Sequence, residues 1–125
     1  SVAQLYGDRC SLSRHEWRVL AALAAMTTAT ATEVADYSTL DKMQASRAIS
    51  VLEVRGCIVR AEGRADRRTK TLTLTAAGRA LFRRIVPLVK EREQTLLAAL
   101  TPEERQALPG IMDKLLSRAR SLTAG

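Results

Sequence analysis

Residues Asp41 to Glu62 read DKMQASRAISVLEVRGCIVRAE, and the spacing of their apolar residues changes partway along. Up to Gly56, the residues Ala45, Ala48, Ile49 and Leu52 recur three and four apart, which is the buried stripe of a helix. Asp41 can cap its first turn, Gln44 can reciprocate, and Gly56 supplies a stop, so a helix is predicted over 41–56. After Gly56 the period becomes two, with Ile58 alternating against Val59 in CIVRAE. A second alternating run, KTLTLT at 70–75, puts Leu72 and Leu74 on one face. The two runs therefore form a hairpin, and its tip is GRADRRTK, Gly63 to Lys70, with four cationic side chains around one aspartate.

Working outward, SRHEWRVLAALAAM offers Ser13 as a cap with Glu16 three residues on, and Trp17, Leu20, Leu23 and Ala24 at helical spacing, predicting a helix over 13–26. TTATAT suits a turn or short extended piece. From Thr32, TEVADYS reads as a short helix with Val34 and Ala35 inward, ending near Ser38 and Thr39. Thr75 caps a long helix with the seam Leu81, Ile85, Leu88, Val89, Leu96 and Leu97, bent at Pro87. TPEE at 101–104 opens a last helix, in which Pro109 and Gly110 predict a kink or break. The expected fold is mainly α with a small two- or three-stranded β wing: a winged helix-turn-helix with flanking helices.

With 125 residues, 46% of them apolar, the chain can build one core. It contains no apolar run long enough to span a bilayer and no secretory pattern at its start, so a cytoplasmic protein is expected. It begins at Ser1, which leaves a trimmed N-terminus open. Cys10 and Cys57 lack metal-ligand or disulfide-framework spacing, and the only histidine, His15, lies near a helix start. Without a P-loop, a GxGxxG or a second histidine, neither an enzyme nor a cofactor or metal site is expected. The net charge of +7 is concentrated: residues 40–84 hold eleven basic and four acidic side chains, while both flanks are close to neutral. That concentration points to a nucleic-acid reader.

The pieces WRVLxxL at 17–23, TEVA at 32–35, LDKxxxSRAI at 40–49, LExRGCIVR at 52–60, DRR at 66–68, LTLTAAG at 72–78 and LTPEER at 100–105 together resemble the MarR family of bacterial transcriptional regulators. The resemblance covers about residues 11–120. It implies a homodimer that binds a near-palindromic double-stranded DNA operator, usually as a repressor, and is released by a small acidic or phenolic ligand or by thiol oxidation. It also implies an organisation in which residues 1–12 are the remnant of a first dimerisation helix and its link, 13–75 the DNA-binding domain, and 76–125 the C-terminal dimerisation helices. An effector pocket between the dimer helices and the DNA-binding lobe is implied in the same way.

For the helix at 41–56, base readout in the major groove falls to its N-terminal turns: Lys42, Met43, Gln44, Ser46, Arg47 and Ser50. Gln44 suits adenine and Arg47 guanine, while Ser46 and Ser50 reach a base edge or a phosphate. An ordinary solvated helix face is the alternative reading. In the wing, Arg64, Arg67 and Arg68 are the candidates for the minor groove, and Lys70 for phosphate. The resemblance gives Asp66 the role of bracing a neighbouring guanidinium, with Arg68 as the side chain that enters the groove. Further phosphate contacts are expected from Lys42, Arg55, Thr32, Ser38 and Thr39. Trp17 is expected in the core, and the resemblance places Cys57 there too. Cys10 is the better redox candidate, so a thiol-switched regulator and a winged-helix protein-interaction module stand as alternatives.

Overall fold

The computed structural model of the chain describes residues 12–62 and 68–124. Cys10 and most of the proposed N-terminal remnant, together with Arg64, Asp66 and Arg67 of the wing tip, lie outside the described residues. Within these residues the order is α1 (Arg14–Met26), β1 (Thr28–Ala29), α2 (Ala31–Ser38), α3 (Lys42–Val54), β2 (Ile58–Glu62), β3 (Lys70–Leu74), α4 (Ala76–Leu97) and α5 (Pro102–Ala124). The chain divides into two compact units, Ser1–Val89 and Lys90–Gly125. No helix among the described residues is long and apolar enough to cross a membrane.

Local chemistry starts each helix of the first unit. Ser13 with Glu16, Thr30 with Glu33 and Asp41 with Gln44 all form reciprocal capping boxes, each satisfying two backbone donors that a helix start leaves open. The Thr30 box moves the start of α2 to Ala31, one residue ahead of the Thr32 start read from the sequence. Thr39 closes α2 in the left-handed region, and its amide donates to Ala35 and Asp36.

The sheet has the order β1-β3-β2 and is antiparallel throughout. The hairpin pairs Ile58 with Leu74 and Glu62 with Lys70, and the TTATAT segment adds a short third strand, with Thr28 opposite Thr73. One continuous core joins the elements: Val19, Leu20, Leu23, Val34, Ile49, Leu52, Leu72 and Ile85 are all essentially buried. Trp17 packs against this core from α1 and stacks on Phe82 of α4, with ring centroids 5.5 Å apart. Such an offset pair adds about 0.5–1.5 kcal/mol beyond its buried area.

The junction between α3, the hairpin and α4 is tightly tied. Thr75 donates its amide to the Cys57 carbonyl (3.0 Å) and its hydroxyl to the Gly56 carbonyl (2.6 Å), and the same hydroxyl accepts from the Gly78 amide (3.1 Å). Gly56 takes a φ of 78°, so the absence of a β-carbon matters at the turn that ends α3. Cys57 is buried here.

In the second unit, Thr101 and Glu104 cap α5 reciprocally. No break occurs at Pro109 and Gly110: α5 runs through both to Ala124. Pro109 removes the donor that would meet the Arg105 carbonyl, but Arg105 is on an exposed turn where water can take that place. Ile111, Met112, Leu115, Leu116 and Leu122 of α5 are exposed, as is Leu96 at the end of α4.

Candidate nucleic-acid interface

Helix α3 has two chemically distinct sides. Ala45, Ala48, Ile49 and Leu52 are buried, whereas Lys42, Met43, Ser46, Arg47 and Ser50 are exposed. Helical geometry produces the division: residues three and four apart share a face, so anchoring one stripe in the core presents the other to solvent. Gln44 lies between them, half-buried, with its Oε1 accepting from the Asp41 backbone amide (3.2 Å) while the Gln44 backbone amide donates to Asp41 Oδ1 (2.7 Å). Its side chain is thus held at the helix start, and only its remaining amide hydrogens are uncommitted to the cap.

The wing is held to α3 by charge. Arg60 of β2 directs Nε to both carboxylate oxygens of Glu53, at 3.1 and 3.0 Å. Lys70 stands opposite Glu62 in the register, with its ammonium 3.6 Å from the carboxylate. Arg68 and Arg55 are both exposed.

The phosphate-contact set is divided by the structure. Thr32 is exposed in the first turn of α2, and Thr39 is exposed with its hydroxyl donating to the Ser38 carbonyl at 2.6 Å. Ser38 corrects the sequence expectation: it is 8% exposed, and its hydroxyl donates to the Val34 carbonyl. It faces inward because it follows Val34 by one helical turn, on the side that α2 buries. Sequence reasoning also missed Tyr37, which is exposed beside Ser38, and the Glu53–Arg60 pair. The pair had a signal in two opposite charges flanking the Gly56 turn; Tyr37 had none beyond its offset from the Val34 stripe.

Two clefts adjoin these elements. One of about 250 Å³ lies between the first turn of α1 and the exposed side of α3, lined by Ser13, His15, Glu16, Gln44, Arg47 and Val51. The other, about 320 Å³, is walled by Leu23, Ala24, Leu74 and Phe82, with Arg79 and Arg83 at its edge. The Arg79 guanidinium is fixed by a 2.9 Å bond to the Leu74 carbonyl. Among the described residues, no group of three His, Cys, Asp or Glu side chains converges to hold a metal ion.

The fold is shared with known proteins. The sequence model of the MarR family matches residues 11–69. A MarR/EmrR family transcriptional regulator from Acinetobacter sp. ADP1 is 25% identical, with a TM-score of 0.87 over 95% of this chain and 84% of that one. BpsR of Bordetella bronchiseptica, whose DNA binding is regulated by 6-hydroxynicotinic acid, is 29% identical with a TM-score of 0.77 over 83% of this chain and 79% of that one. The fold is also that of a mutant MarR from E. coli complexed with operator DNA, at 22% identity, a TM-score of 0.81, and 92% and 83% coverage. No curated protein matches the chain in sequence. With a basic winged helix-turn-helix built on a capped, two-sided α3, the chain matches the MarR family over residues 11–69 and shares the fold of that family's transcriptional regulators.

Proposed function

We propose that the protein is a cytoplasmic repressor that binds a pseudo-palindromic operator as a homodimer and is released by a small aromatic acid. The observation that carries the DNA-reading part is the exposed side of α3: Lys42, Met43, Ser46, Arg47 and Ser50 face outward from a helix anchored by four buried residues. Residues 13–75 form the reading domain. Arg47 takes guanine, Gln44 contributes its free amide hydrogens, and Ser46 and Ser50 take the neighbouring edges or phosphates. Arg68, with Arg64 and Arg67, follows the minor groove, and Asp66 orients the guanidinium that enters it. Lys42, Arg55, Lys70, Thr32 and Thr39 position the protein on phosphates.

Residues 76–125 join the two copies, and the exposed Leu96, Ile111, Met112, Leu115 and Leu116 supply apolar surface for that union. A dimer of this kind places its two α3 helices about 34–36 Å apart, one turn of B-DNA. Electrophoretic shift of the DNA upstream of the protein's own gene, with scrambled competitor, combined with sedimentation of the free protein, tests both parts. Retention of the two duplexes with equal affinity, or a monomer at micromolar concentration, would refute the corresponding part.

For the effector, the cleft near Phe82 has apolar walls and guanidinium groups, a combination that fits a flat carboxylate. BpsR, which responds to 6-hydroxynicotinic acid, is the precedent. Titration of the protein–DNA complex with 6-hydroxynicotinate and with salicylate, for wild type and Arg83→Ala, tests the assignment: release of wild type by either acid and resistance of the variant is the expected pattern.

A further inference from the structure

A lone imidazole builds neither a metal nor a catalytic site, yet the fold puts His15 beside helix α3. It is half-buried and lines the 250 Å³ cleft together with Gln44 and Arg47. The charged groups facing that cleft are Glu16 from the imidazole's own helix and Arg47 from α3. Glu16 is engaged by its capping box, accepting from the Ser13 amide at 3.3 Å, which draws the carboxylate toward the helix start. In the docking of α3 proposed above, the backbone flanking the bases read by Arg47 would pass this cleft and bring a phosphate toward an imidazole and a guanidinium.

We propose that His15 is a phosphate-contacting residue of the DNA interface, bound in its charged form, and that it makes DNA binding tighten as the pH falls. The inference rests on the docking of α3 proposed above. Imidazole is the side chain whose ordinary charge change falls between pH 5 and 8, and this chain has one histidine, so a response in that window has one side-chain source. Each protonated copy neutralises one additional phosphate and releases its condensed counterion, which steepens the dependence of log K on log salt by about 0.9 per copy.

The test is fluorescence anisotropy of a labelled duplex from the DNA upstream of the protein's gene and of a scrambled duplex, at pH 5.5, 6.25 and 7.0 and at three salt concentrations. Wild type, H15Q and H15K are compared. For wild type the affinity should rise on the order of tenfold or more toward pH 5.5, with a steeper salt slope. H15Q should be flat and resemble wild type at pH 7.0, and H15K, whose charge is permanent, should be flat and tight. A flat wild type, or H15Q retaining the full pH response, overturns the inference while leaving the docking of α3 intact. If instead neither duplex is preferred at any pH, the docking itself fails and the inference falls with it.

Discussion

A β-carbon on Gly78 would lie 2.2 Å from the carbonyl oxygen of Cys57, inside any permitted contact, so α4 can approach the base of the wing only with glycine at this position. The close approach is what lets Thr75 bridge both Gly56 and Cys57 and sets where the hairpin leaves α3. Gly78→Ala must push α4 away from backbone that cannot yield like a flexible side chain. A loss of about 1–3 kcal/mol in urea unfolding is expected, although alanine is the better helix former by about 1 kcal/mol. Equal or greater stability of the variant would show that the junction has slack the structure does not display.

The ion pair between Glu53 and Arg60 is about a third exposed on each side, so its value to stability should be small, about 0–1 kcal/mol. Its consequence lies in geometry, because it joins the last turns of α3 to the first wing strand. Arg60→Ala should therefore lower DNA affinity by more than its effect on unfolding and more than the loss of one surface cation. The exchanged pair Glu53→Arg with Arg60→Glu should recover part of the affinity lost by either single change. Additive losses in that double-variant cycle would reduce the pair to two independent surface charges.

Much of the first unit was legible because its sequence signals are local. Asp41, Gln44 and Gly56 mark the ends of α3, and the change of period at Gly56 marks the wing, since each depends on residues within one or two turns. The Thr30–Glu33 box carried the same kind of signal and was obscured by the β-branched run around it. Ser38 shows a different limit: a hydroxyl on the last residue of a short helix reads as solvent-facing unless the inward stripe is extended to it. The stack of Trp17 on Phe82 and the fit of Gly78 on Cys57 were not legible at all, because periodicity assigns a face and never the partner that meets it. At Pro109 the freed Arg105 carbonyl lies on an exposed turn, and α5 continues through the missing donor.

Gln44 has two tasks, and they can be separated. Gln44→Glu keeps an oxygen for the Asp41 amide and its own backbone bond to Asp41, so unfolding should change by within about 0.5 kcal/mol. It removes the amide donors and adds negative charge, so DNA binding should weaken by about 1–3 kcal/mol. Gln44→Ala should lose affinity with a further loss of stability from the broken box. Stability measured by urea and affinity measured on the same preparations distinguish the two; a Glu variant that binds as tightly as wild type would remove Gln44 from the readout.

In the wing, Arg68→Ala should weaken binding by about 1–3 kcal/mol if its guanidinium enters the minor groove. The informative change is Asp66→Ala. Simple charge attraction predicts tighter binding when a carboxylate is deleted from a basic loop, whereas a brace predicts weaker binding because the arginine loses its preset orientation. A rise in affinity for Asp66→Ala in an operator titration would decide for simple attraction.

The salt dependence tests the interface as a whole. If a dimer makes about six to ten phosphate contacts, affinity should fall around 10³- to 10⁵-fold between 50 and 200 mM salt. Within that slope the structure ranks the contributors. Lys70 is already 3.6 Å from Glu62, so part of its charge is balanced before DNA arrives, and Lys70→Ala should reduce the slope by less than Lys42→Ala. Ser38→Ala should leave both the slope and the affinity at any one salt concentration unchanged, because that hydroxyl is neutral and is buried against Val34. A loss of affinity at constant slope in the Ser38 variant, with unfolding unaffected, would mean that α2 reopens its last turn on binding and brings the hydroxyl to a phosphate.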